Sequence, residues 1–310
     1  VSVVYFIKNV STILLSVCHT VYNKTVNAIE IKDLKKHFGK VKAVDGLSFE
    51  VNQGEIFGFL GPNGAGKTTT IRCMMNFIRP NKGSLNILGK DAQINSVELK
   101  NIIGYLAPDQ RLYDNLTGKD HIKIIESIRG HCPKAKVLAK RLDANLDARI
   151  KTLSTGNKQK ISLILALMHD PDLVILDEPT TGLDPLLQNT IYEILVEMKD
   201  RGKTIFMSSH NLAEVEKICE RAAIIKNGKL IATENIKELH EKRMYLVSAR
   251  FNNPINVNPV QILENCEAVS VSESEISIKI KGDLNKLIKI LSDNNIHDLT
   301  IEHAGLDEIF

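Results

Sequence analysis

The chain has 310 residues, 43% hydrophobic and 25% charged, enough for one core of about 200 residues and a smaller companion. Its 40 basic and 37 acidic residues leave a net charge of +3, too balanced to hold nucleic acid by bulk electrostatics, so no nucleic-acid partner is expected. The cysteines, Cys18, Cys73, Cys132, Cys219 and Cys266, are odd in number and form no Cys-x-x-Cys pair, which argues against a disulfide framework or a zinc site and favours a reducing cytosol.

Residues 1–27 are apolar in patches, but Lys8, Asn9, Ser11, Ser16 and His19 interrupt them. The stretch falls short of the ~18–20 clean apolar residues that a span needs. It also lacks the basic start and small-residue cleavage site of a signal peptide, so an extension outside the fold is expected. From residue 28, β-rich runs are divided by turns at His37-Phe38-Gly39-Lys40 and Asn52-Gln53-Gly54. EIFGFL (55–60), LVILD (173–177) and TIFMSS (204–209) read as strands buried on both faces. KTTTIRCMMNFI (67–78) and LLQNTIYEILVEMKD (186–200) have helical length and spacing. The alternation predicts an α/β fold with a parallel sheet and crossover helices.

The mostly helical stretch 117–146 interrupts this pattern and predicts an inserted helical subdomain over about 109–168. Beyond residue 242 the pattern changes to short alternating strands, MYLVSARF, AVSVSES and ISIKIKG, with an amphipathic helix, LNKLIKILSDN, and a closing GLDEIF. A main domain at 28–242 and a small α+β domain at 243–310 are therefore expected.

GPNGAGKTT, that is Gly61, Pro62, Asn63, Gly64, Ala65, Gly66, Lys67, Thr68 and Thr69, joins a predicted strand to a predicted helix. In that context three glycines let the backbone wrap a triphosphate with its N–H groups inward. Lys67 would reach the β- and γ-phosphates, and Thr68 would ligate Mg²⁺. The apolar strand LVILD ends in adjacent carboxylates, Asp177 and Glu178, which strand alternation sends to opposite sides. Asp177 suits the Mg²⁺ shell, and Glu178 suits the general base that polarises the attacking water. His210 follows the strand TIFMSS, at the sheet end where ligands gather.

KTLSTGNKQKISLILAL, residues 151–167, opens with small polar residues and turns into an apolar helical run. Such a helix start is a second phosphate cradle.

In this order and spacing the motifs resemble the nucleotide-binding subunit of an ATP-binding cassette (ABC) transporter, over residues 28–242. The resemblance implies a phosphate-loop ATPase core with an antiparallel β-subdomain and an inserted helical subdomain. GPNGAGKTT is similar to the Walker A loop, LVILDE to the Walker B strand, GLDP (182–185) to the D-loop and His210 to the switch histidine. LSTGN resembles the signature motif, with Thr155 and Asn157 departing from it, and Phe38 stands where an aromatic stacks on adenine. The family's head-to-tail dimer answers the puzzle of two cradles. Ser154 and Gly156 would contact the ATP held by the partner's Walker A loop, and Asp184 would lie in the same seam.

The Q-loop departs from the pattern. Ala107 and Pro108 stand where the family reads Pro-Gln, and the sequence leaves open whether Asp109 or Gln110 substitutes. The following LYDNLTGKDHI and the small C-terminal domain resemble ATPases of ABC-2 type exporters of drugs and antibiotics. Implied, then, are ATP and Mg²⁺, a homodimer or heterodimer, and a separate membrane permease that holds the subunit on the cytoplasmic face. A translation-factor ATPase would carry two cassettes, and a chromosome-type ATPase a long coiled coil between Walker A and signature; neither is present in this sequence.

Overall fold

The computed structural model describes residues 27–108, 110–236, 238, 244–253, 266–272, 274–281 and 284–303. Expectations for residues 1–26, for Asp109 and for the closing GLDEIF lie outside them.

Two long strands, β1 (Asn27–Phe38) and β2 (Val41–Asn52), form a hairpin, and β3 (Ile56–Leu60) leads into helix α1 (Lys67–Met74). Strands β4 (Lys82–Ile87) and β5 (Lys90–Asp91), helix α2 (Ser96–Ile102) and β6 (Ile103–Leu106) follow. The antiparallel sheet runs β2-β1-β4-β5. Helices α3 (Gly118–Arg129) and α4 (Ala135–Arg141), a 3-10 turn at Ile150–Thr152 and α5 (Thr155–Leu167) make the inserted helical stretch. A capping box starts α3: the Asp120 N–H donates to Thr117 Oγ1 (3.1 Å) and the Thr117 N–H to Asp120 Oδ2 (3.0 Å).

The chain then alternates β7 (Leu173–Asp177), α6 (Pro185–Asp200), β8 (Thr204–Ser209), α7 (Leu212–Ile218), β9 (Arg221–Lys226) and β10 (Lys229–Asn235). The second sheet runs β10-β9-β3-β8-β7-β6, parallel except for the β10–β9 hairpin. Each central strand feeds two cores. Leu173 and Ile175 join the cluster between the sheets, and Val174 and Leu176 join the cluster beneath α5 and α6. This period-two split is why LVILD carries no polar face. Phe49, Phe57, Phe59 and Phe206 stack together in the first cluster, with centroids 5.4–6.1 Å apart.

The C-terminal sheet runs β12 (Cys266–Val271), β13 (Glu275–Lys281), β11 (Met244–Phe251), β14 (Ile296–His303), with helix α8 (Asn285–Ser292) before β14. Val247, Ala249, Phe251, Ile276, Ile278, Ile280, Leu287 and Leu291 form a core of their own.

The sequence reading left α2, β6, α7, β9 and β10 unnamed, and it differs from the structure at α1 and β14. Helix α1 stops at Met74 instead of residue 78, because Asn76 takes a left-handed φ of 51°. There the Phe77 N–H reaches the Arg72 carbonyl (2.9 Å) and the Asn76 N–H that of Cys73 (3.0 Å), a Schellman ending. Strand β14 was not expected at all. Its register against β11 shifts at Phe251, so Ile296 falls out of alternation with Leu299 and Ile301.

Candidate nucleotide site

The phosphate loop is shaped by close backbone approach. A Cβ at Gly61 would stand 2.3 Å from the Ile225 carbonyl oxygen. At Gly66, where φ is 109°, it would stand 2.4 Å from that of Ala43. Neither position accepts a side chain. The Gly61 N–H donates to the Ser209 carbonyl (3.2 Å), which ties the loop to the end of β8, and Gly66 is the N-cap of α1. The first-turn N–H groups of α1 and the positive end of its dipole therefore sit at the loop.

Beside the loop lies a cavity of about 530 Å³, walled by Asn63, Gly64 and residues 66–69, with residues 41–43, Pro108, Glu178 and Asn227 opposite. Lys67 is buried, and its ammonium donates to the carbonyls of Gly61 (2.7 Å) and Pro62 (3.2 Å). It also lies 3.2 Å from Glu178 Oε1.

Asp177 is fully buried, and its Oδ1 accepts a hydrogen bond from Ser208 Oγ (2.6 Å). Its Oδ2 is buried with no hydrogen-bond partner. Burial holds the Asp177 carboxyl above its ordinary value; Ser208, Thr68 and Lys67 pull the other way, and Glu178 adds to the rise. A buried carboxylate oxygen left over beside a threonine hydroxyl fits a hard cation such as Mg²⁺.

Glu178 leaves the strand with a left-handed φ of 54°, so strand alternation does not set its direction as expected. Both carboxylates approach Lys67, and their roles differ by partner instead. Glu178 Oε2 shares a hydrogen with His210 Nδ1 (2.7 Å) and accepts from Thr181 Oγ1 (3.3 Å). Lys67, the adjacent pair Asp177 and Glu178, and His210, from three distant parts of the sequence, thus meet at one sheet end. Phe38, half exposed, pairs with Val41 on the cavity wall, and Lys36 Nζ lies 5.0 Å from its ring centroid.

Ser154, Gly156 and Asp184 are not among the residues that line this cavity. Ser154 caps α5, accepting from the Asn157 N–H (3.3 Å), and a Cβ at Gly156 would meet open space. Asp184 caps α6, accepting from the Leu187 N–H (2.9 Å).

A family model described as ABC transporter matches residues 44–181. The chain is 38% identical over 227 residues to an uncharacterized ABC transporter ATP-binding protein of Methanocaldococcus jannaschii, covering 70% of this chain and 81% of that protein. The chain belongs to the ABC transporter ATP-binding proteins.

A Nod factor export ATP-binding protein of Paraburkholderia xenovorans is 38% identical over 213 residues, 66% of this chain and 70% of its own length. A solved ATP-binding subunit of an ABC transporter superposes with a TM-score of 0.64 at 29% identity, covering 69% of this chain and 92% of that one. As a member of the family the chain binds adenine nucleotide and hydrolyses ATP, on the phosphate-loop ATPase fold that its motifs implied.

In this ABC ATPase, Pro108 lines the phosphate cavity, whereas Gln110 lines a different one of about 260 Å³ with Phe77, Tyr105, Arg129 and His169. Asp109 lies outside the described residues.

Sequence reading also passed over two residues. Ser208 bridges Asp177 and Glu178. Glu214, buried on α7, accepts from Ser209 Oγ (2.5 Å), Tyr192 OH (3.2 Å) and Thr180 Oγ1, so it joins the segment before His210 to the one after Glu178. Burial and the Glu214 carboxylate push the Tyr192 phenol up. A glutamate on a short helix gives no sign in the sequence that it faces inward.

Proposed function

We propose that this chain powers export of a substrate through a separate membrane permease, two ATPase subunits working as a pair on the cytoplasmic face. The observation that carries the reading is that Glu178, which lines the phosphate cavity with Lys67, also touches Lys67 and His210 and follows Asp177 in the chain, while Ser154 and Asp184 cap helices outside that cavity's lining. ATP phosphates entering the loop compete for the Lys67 ammonium and take the loop N–H groups, and Phe38 offers its exposed ring to the adenine. Thr68 and Asp177 would hold Mg²⁺, which neutralises charge on the phosphate oxygens when bound. Glu178 takes the proton of the attacking water, and His210 keeps its carboxylate in place.

The second cradle, Ser154 and Gly156 at the start of α5, serves the partner subunit's nucleotide, with Asp184 in the seam. No helix among the described residues is long and apolar enough to cross a membrane. Export is favoured by the name of the Paraburkholderia relative.

The test uses Glu178→Gln, which keeps Mg-ATP binding while turnover falls about 10²–10⁴-fold. Purified with ATP from gently solubilised native membrane, it is expected to bring down a multispanning membrane protein with two copies of this chain. Recovery without a membrane partner, and wild-type ATPase activity indifferent to membranes, would contradict transport and favour a soluble non-transport ATPase. Near-normal hydrolysis by Glu178→Gln would remove it as the base.

A further inference from the structure

We propose that Ser208 is a positioning residue for ATP hydrolysis: its hydroxyl fixes the Asp177 carboxylate and its oxygens hold the backbone of Glu178. The parallel register of β7 and β8 sets Ser208 directly opposite Asp177. Ser208 is fully buried, and its O–H donates to Asp177 Oδ1 at 2.6 Å. The Glu178 N–H points at the same residue, 3.1 Å from Ser208 Oγ and 3.3 Å from the Ser208 carbonyl.

Each contact answers a need of the site. Glu178 is a non-glycine residue at φ 54°, a conformation that its surroundings must enforce. The bifurcated hold by Ser208 enforces it at the residue whose side chain then reaches Lys67 and His210. Asp177 has one oxygen without a hydrogen-bond partner, so the Ser208 bond to the other fixes which way the free oxygen faces. A carboxylate that presents one oxygen to a cation is commonly oriented through its second. The preceding residues of β8, Ile205, Phe206 and Met207, are apolar and serve the cores, so a hydroxyl at 208 is not part of the packing pattern.

The inference rests on the proposed roles of Asp177 and Glu178, and the experiment separates the two. Ser208→Ala removes the hydroxyl without adding volume; Ser208→Cys keeps nearly the volume but has only a weak donor. Both are made in the full chain, with Glu178→Gln alongside. The readouts are kcat, KM for ATP, the Mg²⁺ concentration giving half-maximal activity, and binding of a fluorescent ATP analogue in EDTA and in Mg²⁺.

The expected result is a fall in kcat of about 10–100-fold in both variants, a half-saturating Mg²⁺ raised about tenfold, and EDTA binding and KM for ATP little changed. Either variant, folded and with kcat and Mg²⁺ midpoint both within about threefold of wild type, would overturn the proposal. A normal Ser208→Cys beside a defective Ser208→Ala would do so too, because packing alone would then be at work. Should Ser208→Ala fail to fold, Ser208→Cys decides. Full hydrolysis by Glu178→Gln would strike the underlying reading, whereas an inactive Glu178→Gln with active Ser208 variants would strike this inference alone.

Discussion

His169 is kept uncharged by its place in the fold. Burial, with the Arg129 charge in support, pushes its imidazole down to about 4 from an ordinary 6.5, although Nε2 has the Ile103 carbonyl as partner at 3.3 Å. Between those two values the unfolded chain binds a proton that the folded chain refuses. The contribution to stability is therefore whole above pH 6.5 and is lost as pH falls toward 4, by at most about 3 kcal/mol. In urea unfolding from pH 7.5 to 4, wild type should lose that margin relative to His169→Gln; a gap constant with pH would contradict it. At the same scale the residues of the site were unequally legible. Lys67, Asp177, Glu178 and His210 stand in motifs whose spacing encodes their meeting. Ser208 does not, because its partner lies 31 residues away and is chosen by strand register. Nor could the turn at Glu178 be read from alternation, since the strand ends one residue earlier.

Elements buried on both faces were the easiest to read: β3, residues 173–176 of β7 and residues 205–207 of β8 are continuous apolar runs because their alternate residues serve two cores. The end of α1 and the whole of β14 were hidden, one by an asparagine in the left-handed region and the other by a register shift. One contact between elements was equally invisible. At Gly104 in β6 a Cβ would stand 2.3 Å from the Ala166 carbonyl oxygen of α5 and 2.8 Å from Pro171 Cγ. Backbone cannot step aside cheaply, so Gly104→Ala should cost about 1–3 kcal/mol. That corresponds to a drop in Tm of roughly 3–10 °C by thermal unfolding. An unchanged Tm would mean that α5 is free to shift against the sheet. Caps are a second consideration at this scale. Asp184→Ala should lose about 1 kcal/mol from α6 whatever its place in a dimer, so Asp184→Asn, which keeps a cap, is the variant that probes the seam.

At the scale of the whole molecule, the described residues form two cores in the nucleotide-binding part and a third in the C-terminal sheet. Every phosphate-site residue lies on the first part. We therefore propose the boundary near residue 242 as a functional one: a chain ending there should bind ATP as the full chain does, and loss of binding by a folded truncate would contradict it. The central claim, however, is that the cradle at Ser154 acts on the nucleotide of a partner subunit, and one mixing experiment tests it. Lys67→Ala disables the phosphate-loop side of a subunit and Ser154→Arg the other side, so each pure dimer has two defective sites. In a mixed dimer the intact Lys67 of one chain faces the intact Ser154 of the other, which rebuilds one whole site. The mixture should regain up to roughly a quarter of the wild-type ATPase rate, since random pairing makes half of the dimers mixed and each carries one of two sites. ATP-dependent dimerisation of the mixture is followed in parallel, because recovery is lost if the two sites fire only together. Normal hydrolysis by Ser154→Arg alone, or a mixture that pairs and stays inactive while a covalently linked dimer with one intact site hydrolyses ATP, would contradict the account.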